Sequence, residues 1–197
     1  MAKRIVLAGV LGGIVYFVWL FIGHDVLPLG DTGIQGIANE DAVIAGLKQN
    51  IPQPGFYFFP SGGMLAPGLS SEQRKAATSK MMEMYRTGPH GMLIFDPNGS
   101  EPITARQIVS ELGLDVLLML VSAWLLAQVA ASAGYGRRVL FVVVLGLIPT
   151  LAEGLSYWNW YGFPMSYTLA QLLIYMVGFT LAGLLMAKFV QPGAAKV

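Results

Sequence analysis

Four stretches of this chain are long, apolar and almost free of charge: Ile5 to Gly23, Val116 to Gly136, Val139 to about Trp158, and Met165 to Ala187. A hydrocarbon core about 30 Å thick is crossed by about 20 helical residues, so each stretch is a candidate transmembrane helix. Together they hold a single formally charged residue, Glu153. The rest of the chain cannot offset this apolar content, since 55% of all residues are hydrophobic and only 12% are charged, too little polar surface to cover a soluble globule. The expected fold is a membrane all-α four-helix transmembrane bundle, with a small α+β insert between the first and second spans. It divides into a first helix at residues 1–23, the insert at 24–104, and a long second helix with the third and fourth spans at 105–197.

Sidedness follows from the basic residues, because Lys and Arg beside a span are retained in the cytoplasm. Lys3, Arg4, Arg137, Arg138, Lys188 and Lys196 flank four span ends without an acidic companion. From His24 to Glu111 the chain instead carries nine acids against six bases. The expected topology is N-in and C-in, with the insert on the extracytoplasmic side of a bacterial inner membrane. The first span has a basic start like a signal peptide. Its apolar run is longer than a signal core and no clean small-x-small site follows it, so an uncleaved signal anchor is expected. The last two spans are joined by SYWNWYGFPMSY, whose Trp158, Trp160 and Tyr161 suit an aromatic belt at headgroup level or a partner interface.

Within the insert, Asn39 followed by Glu40 and Asp41 predicts a helix to about Asn50, stopped by Pro52 and Pro54. Phe56 to Phe59 and Gly91 to Phe95, each bounded by prolines, predict two strands, the first of them buried. Between them Ser70 and Gln73 match a capping box, with Ala77, Met81, Met84 and Tyr85 at helical spacing until Gly88 and Pro89. The order helix, strand, helix, strand allows a right-handed crossover that pairs the strands in parallel. Thr104 and Gln107 form a second capping box, and Ile108, Leu112 and Val116 continue one stripe, so the second span starts before the bilayer. From Ala105 to Gly134 such a helix would extend about 45 Å.

Glu153 is the first residue to question, because an ionisable group inside a span is costly and marks a functional site by default. It lies about 22 Å beyond Arg138 along a helix, below the outer interface. Thr150, Gln171 and Ser122 fall in the same leaflet, with Asp115 at its surface, and these residues are the candidate ligand-binding cluster. Pro149, just before it, removes a backbone donor and predicts a kink. Ala8 with Gly12 and Gly9 with Gly13 are spaced four apart, as are Ala123, Ala127 and Ala131, and Gly178 and Ala182. Such small-residue faces admit close helix packing, within the bundle or against another subunit.

Other chemistry is thinly represented. The chain has no cysteine, so thiolate catalysis, disulfides and Cys-ligated metals are excluded, and with two histidines a bis-histidine haem within the membrane is not expected. His24 and His90 have no second ligand at a recognisable spacing, and Met81, Met82 and Met84 lie on an amphipathic helix without a supporting histidine. No nucleophile elbow, phosphate loop or HExxH helix occurs. Catalytic residues, metals and cofactors are therefore not expected, and the balanced charge gives no footprint for nucleic acid.

The segments GPHGMLIFDPNG (88–99) and YWNWYGFP (157–164) resemble small bacterial four-helix membrane proteins with an extracytoplasmic insert. The resemblance implies this architecture; it carries no activity and no functional residue. Without catalytic motifs, and with a marginal outer domain and small-residue faces, the expected role is a non-catalytic accessory or assembly subunit of a larger inner-membrane complex. Its expected partners are the bilayer and other integral membrane subunits, which would also supply any bound lipid or pigment. Two further classes stand beside it: a small lipid, quinone or proton carrier using the Glu153 pocket, and an interfacial membrane enzyme using Glu153, Asp115 or His90.

Overall fold

A computed structural model describes residues 2–191, so Lys196 lies outside the described residues. Among these, four helical segments are long and apolar enough to cross a membrane: Ala2–Val26, Ala105–Ser132, Tyr135–Tyr161 and Met165–Phe189. This is a multi-pass, mostly helical membrane protein with one small sheet. The chain separates into two compact units, Met1–Gln35 with Glu101–Val197, and Gly36–Ser100.

The first unit is the bundle. Helix α1 (Ala2–Phe21) runs into a π-helical turn at Ile22–Val26. In Gly36–Ser100, described below, helix α2 spans Glu40–Asn50, strand β1 Gly55–Phe59, helix α3 Ser71–Thr87 and strand β2 Gly91–Phe95. Helix α4 (Ala105–Val129) returns to the bundle and opens on the expected capping box. There Gln107 N donates to Thr104 Oγ1 at 3.2 Å, and Thr104 N donates to Gln107 Oε1 at 2.8 Å. A 3₁₀ turn at Ala130–Ser132 ends this span, earlier than the expected Gly134 to Gly136.

Arg138 follows closely. Rather than terminating a span, it sits buried in the first turn of α5 (Tyr135–Leu145), and its Nη1 donates to Ala133 O at 3.1 Å. A cation there satisfies a carbonyl at the C-terminal end of the preceding helix, where the dipole favours positive charge. The third span is then interrupted. After α5 come Gly146, the short α6 (Leu147–Pro149), a π turn over Thr150–Gly154, and α7 (Leu155–Tyr161). Two local causes coincide: Pro149 has no N–H to continue the ladder, and Gly146 leaves room for the Phe179 ring, whose Cγ would lie 2.7 Å from a Cβ at that position. The π turn closes with Leu155 N donating to Thr150 O. Gly162, at φ +73°, makes the left-handed turn into α8 (Met165–Phe189).

Between helices surrounded by lipid there is no hydrophobic drive, so close packing must hold them together. α1 lies between α4 and α8, and α8 packs in turn on α5. The small residues of α1 permit this: a Cβ on Gly9 would come 2.7 Å from Leu120 Cα, and one on Gly13 would come 2.5 Å from Val116 Cα. Gly12 faces the Met186 side chain, and Gly178 admits the Tyr16 ring. Ala8, Tyr16, Met119, Leu126, Phe179 and Met186 form the buried centre.

The second unit is built differently. α3 begins at the expected capping box, with Gln73 N donating to Ser70 Oγ at 3.2 Å and Ser70 N donating to Gln73 Oε1 at 2.9 Å. α2 begins after Asn39, whose side chain makes no capping bond. The strands pair antiparallel, with Phe56 opposite Ile94 and Phe58 opposite Met92, which corrects the parallel crossover allowed by element order. The segment after β1 folds back along α3, placing Gly62 against Ala77 and Met81, with Arg74 Nη1 donating to Met64 O at 3.5 Å. The loop therefore runs out beside the helix that brings the chain back, and the chain re-enters the sheet at the end it left. Nor is β1 buried as expected, since Phe56 is 67% exposed, and Ile94 opposite it is 85% exposed.

Candidate functional site

The bundle carries its charges at opposite ends of its helices. Lys3, Arg4, Arg137, Arg138 and Lys188 belong to one end, and Glu111, Asp115 and Glu153 lie toward the other. The five residues of the expected polar cluster all lie on the spans, and their neighbours separate them into two sets.

The first set is on α4. Asp115 is buried, at 4% exposure, and its Oδ2 has no hydrogen-bond partner among the described residues. Ser122, two turns further along, is buried too, but its Oγ donates to Leu118 O at 2.9 Å and is satisfied within its own helix. The second set is the π turn of the third span. Thr150 is buried with an unpartnered Oγ1, and a Cβ on neighbouring Gly154 would meet the methyl groups of Thr150 at 3.5 Å and Thr168 at 3.6 Å. Glu153 is exposed, and its carboxylate accepts a hydrogen bond from the Tyr157 hydroxyl one turn on. That tyrosine opens an aromatic chain through Phe163, 5.2 Å between ring centroids, to Tyr167 at a further 5.6 Å. Gln171 is half-buried on α8. α4 meets the third span chiefly through α5, so the Asp115 set and the Glu153 set are not in direct packing contact.

Two further residues that the sequence did not single out are Tyr16, buried on α1, and Tyr175, half-buried one turn beyond Gln171 on α8. The Tyr16 ring is fixed edge-on to Phe179 at 5.3 Å, and the neighbouring Trp19 Nε1 donates to Ile174 O at 2.8 Å. Tyr16 has a sequence signal in its helical spacing from Gly12 and Gly13, which puts it on the packed face of α1. Tyr175 has only its position one turn from Gln171. A tyrosine inside an apolar run otherwise reads as core.

The remaining candidates are structural neighbours. Ala8, Gly9, Gly12 and Gly13 face α4 and α8 within the bundle, whereas Trp158, Trp160 and Tyr161 are exposed. His90 stacks on Tyr85 at 3.9 Å. No group of three metal-ligating side chains occurs among the described residues. No protein-family model, curated protein or solved structure matches this chain.

The site thus contains carboxylates and phenolic hydroxyls, with Tyr157 donating to Glu153. Among the described residues the one ion pair is Arg86 with Glu83 at 3.6 Å, outside the bundle, so no cation among them balances Asp115 or Glu153. Such a constellation can bind a positively charged or hydrogen-bond-donating group.

Proposed function

We propose that the protein is a non-catalytic accessory or assembly-stabilising subunit of a larger bacterial inner-membrane complex. In this reading both termini are cytoplasmic and Gly36–Ser100 is periplasmic, as the grouping of Lys3, Arg4, Arg137, Arg138 and Lys188 favours. The observation that carries it is the near absence of a core in Gly36–Ser100, where Pro60 alone is buried.

Ordering a chain costs about 1–2 kcal/mol per residue in backbone entropy, which small domains offset by burying apolar surface. Here Ile37, Phe56, Leu65, Met82 and Ile94 remain exposed, and both edges of the two-stranded sheet are unpaired. A second chain that covers those residues would supply the missing burial. Five acids balance five bases in this unit, so apolar contact rather than net charge would drive the association.

The test is native electrophoresis and mass spectrometry of mildly solubilised membranes at natural abundance. The protein should migrate with a defined set of larger subunits, and deleting Asp31 to Glu101 should weaken that association. Migration alone, or as a small homo-oligomer, would overturn the reading.

A further inference from the structure

Asp115 is an acceptor that the chain leaves unanswered. A carboxylate offers about four lone-pair sites, and burying one without donors or a counter-charge is expensive in an apolar surround. Yet among the described residues Oδ2 has no partner and no cation pairs with the group. Glu111, one helical turn before it on α4, adds a second carboxylate nearby. We propose that Asp115 receives the primary ammonium headgroup of a bilayer lipid lodged beside α4.

Three features select this ligand. An inorganic divalent cation takes about six or more oxygen ligands, and no group of three suitable side chains is present among the described residues. An ammonium has only three donors to satisfy, and the carboxylates of Asp115 and Glu111, one turn apart on α4, offer acceptors for them. The depth is also right. Counting about 20 residues of hydrocarbon back from Ser132 puts the boundary near Leu112, so Asp115 lies roughly 5 Å inside it, within reach of a headgroup that bends inward. Finally, α4 packs on the third span chiefly through α5, and Leu114, Leu117 and Leu118 are exposed around Asp115, so acyl chains have an apolar helix face to follow. Such a site would operate in the protein alone or within a complex.

The experiment uses the full-length protein, delipidated in mild detergent and titrated with single lipids under native mass spectrometry. The lipids are phosphatidylethanolamine, its N-acylated derivative, which keeps the chains and phosphate but has no ammonium, and phosphatidylglycerol. Phosphatidylethanolamine should be retained at least about tenfold more tightly than either, the scale expected for a buried charge pair. Asp115→Asn should erase that preference, whereas Glu153→Gln should keep it, because Glu153 is exposed and held by Tyr157. Equal retention of all three lipids by the unaltered protein overturns the proposal, and needs no variant to fold. Preference that survives Asp115→Asn overturns the assignment to Asp115. Free ethanolamine binding as tightly as the lipid would overturn the lipid as the source of the ammonium.

Discussion

Single atoms decide how close α1 and α4 can come. At Gly13 a Cβ would stand 2.5 Å from Val116 Cα and 2.8 Å from Val116 N, and both are backbone atoms that cannot swing aside. Gly13→Ala should therefore push the helices apart and destabilise the bundle by about 1–3 kcal/mol, the cost of overpacking a tight contact. Gly113 is the matched control, since it lies on α4 with nothing within 4 Å of the place a methyl group would take. Gly113→Ala should leave stability unchanged or slightly raised, because alanine is the better helix former. Unfolding both variants in the same detergent against the parent protein reads the difference directly. If Gly13→Ala were as stable as Gly113→Ala, the α1 to α4 contact would not be the tight one described. Asp115 and Thr150 belong to this scale as well: both are buried, and each has an oxygen without a partner among the described residues.

At the scale of elements, the helix starts are governed by short-range chemistry. Thr104 and Gln107 satisfy each other's backbone donors at the head of α4, as Ser70 and Gln73 do at the head of α3. Thr104→Ala should cost about 1 kcal/mol locally, which makes the Gln107 amide exchange with deuterium roughly fivefold faster. Amides around Ala123, deep in the span, should not change. Equal exchange at Gln107 would mean that tertiary contacts hold the first turn instead. These starts are legible in the sequence because the cap, the acceptor and the donor lie within four residues of one another, and the four spans are legible because length and apolarity suffice to define them. The rest depends on partners distant in the chain. Strand direction is set by the 60–70 segment folding onto Ala77 and Met81, and nothing in GFYFF or GMLIF encodes that. Arg138 reads as the end of a span, since its use by Ala133 is a tertiary fact. Glu153 looks like the centre of the polar cluster for want of any charge near it, while its bond to Tyr157 and its exposure depend on how the third span breaks at Gly146 and Pro149. Tyr16 is legible only through its helical spacing from Gly12 and Gly13, and Tyr175 does not stand out because a hydroxyl within an apolar run carries no periodicity of its own.

The two units of the molecule are held by different means. In the bundle, glycines and alanines bring backbones together around Met119, Phe179 and Met186, and the surrounding lipid accepts the apolar residues that remain exposed. Gly36–Ser100 has no comparable buried centre. Its sheet has two strands, α2 and α3 bury no residue, and the Phe56 and Ile94 pair lies open. Two strands and two helices without a buried residue among them are marginal in water, and in the proposed reading a covering chain supplies the missing burial. Expressed alone, Gly36–Ser100 should remain without cooperative structure: a poorly dispersed amide NMR spectrum and a thermal melt with no sigmoidal transition. Within the full chain in its native membrane, hydrogen exchange of β1 and β2 should be slowed well beyond the isolated fragment, and stripping the associated subunits with harsher detergent should abolish much of that protection. A fragment that melted cooperatively would show that the few half-buried contacts of Tyr57, Phe58 and Leu93 suffice, and the need for a covering chain would disappear with it. Protection in the full chain that survived loss of every other subunit would place the covering surface in the protein itself or in the lipid. The distinction matters because, in the proposed reading, an element ordered only when covered would report on its own assembly: its strands would become protected when a partner arrived and exposed when it left.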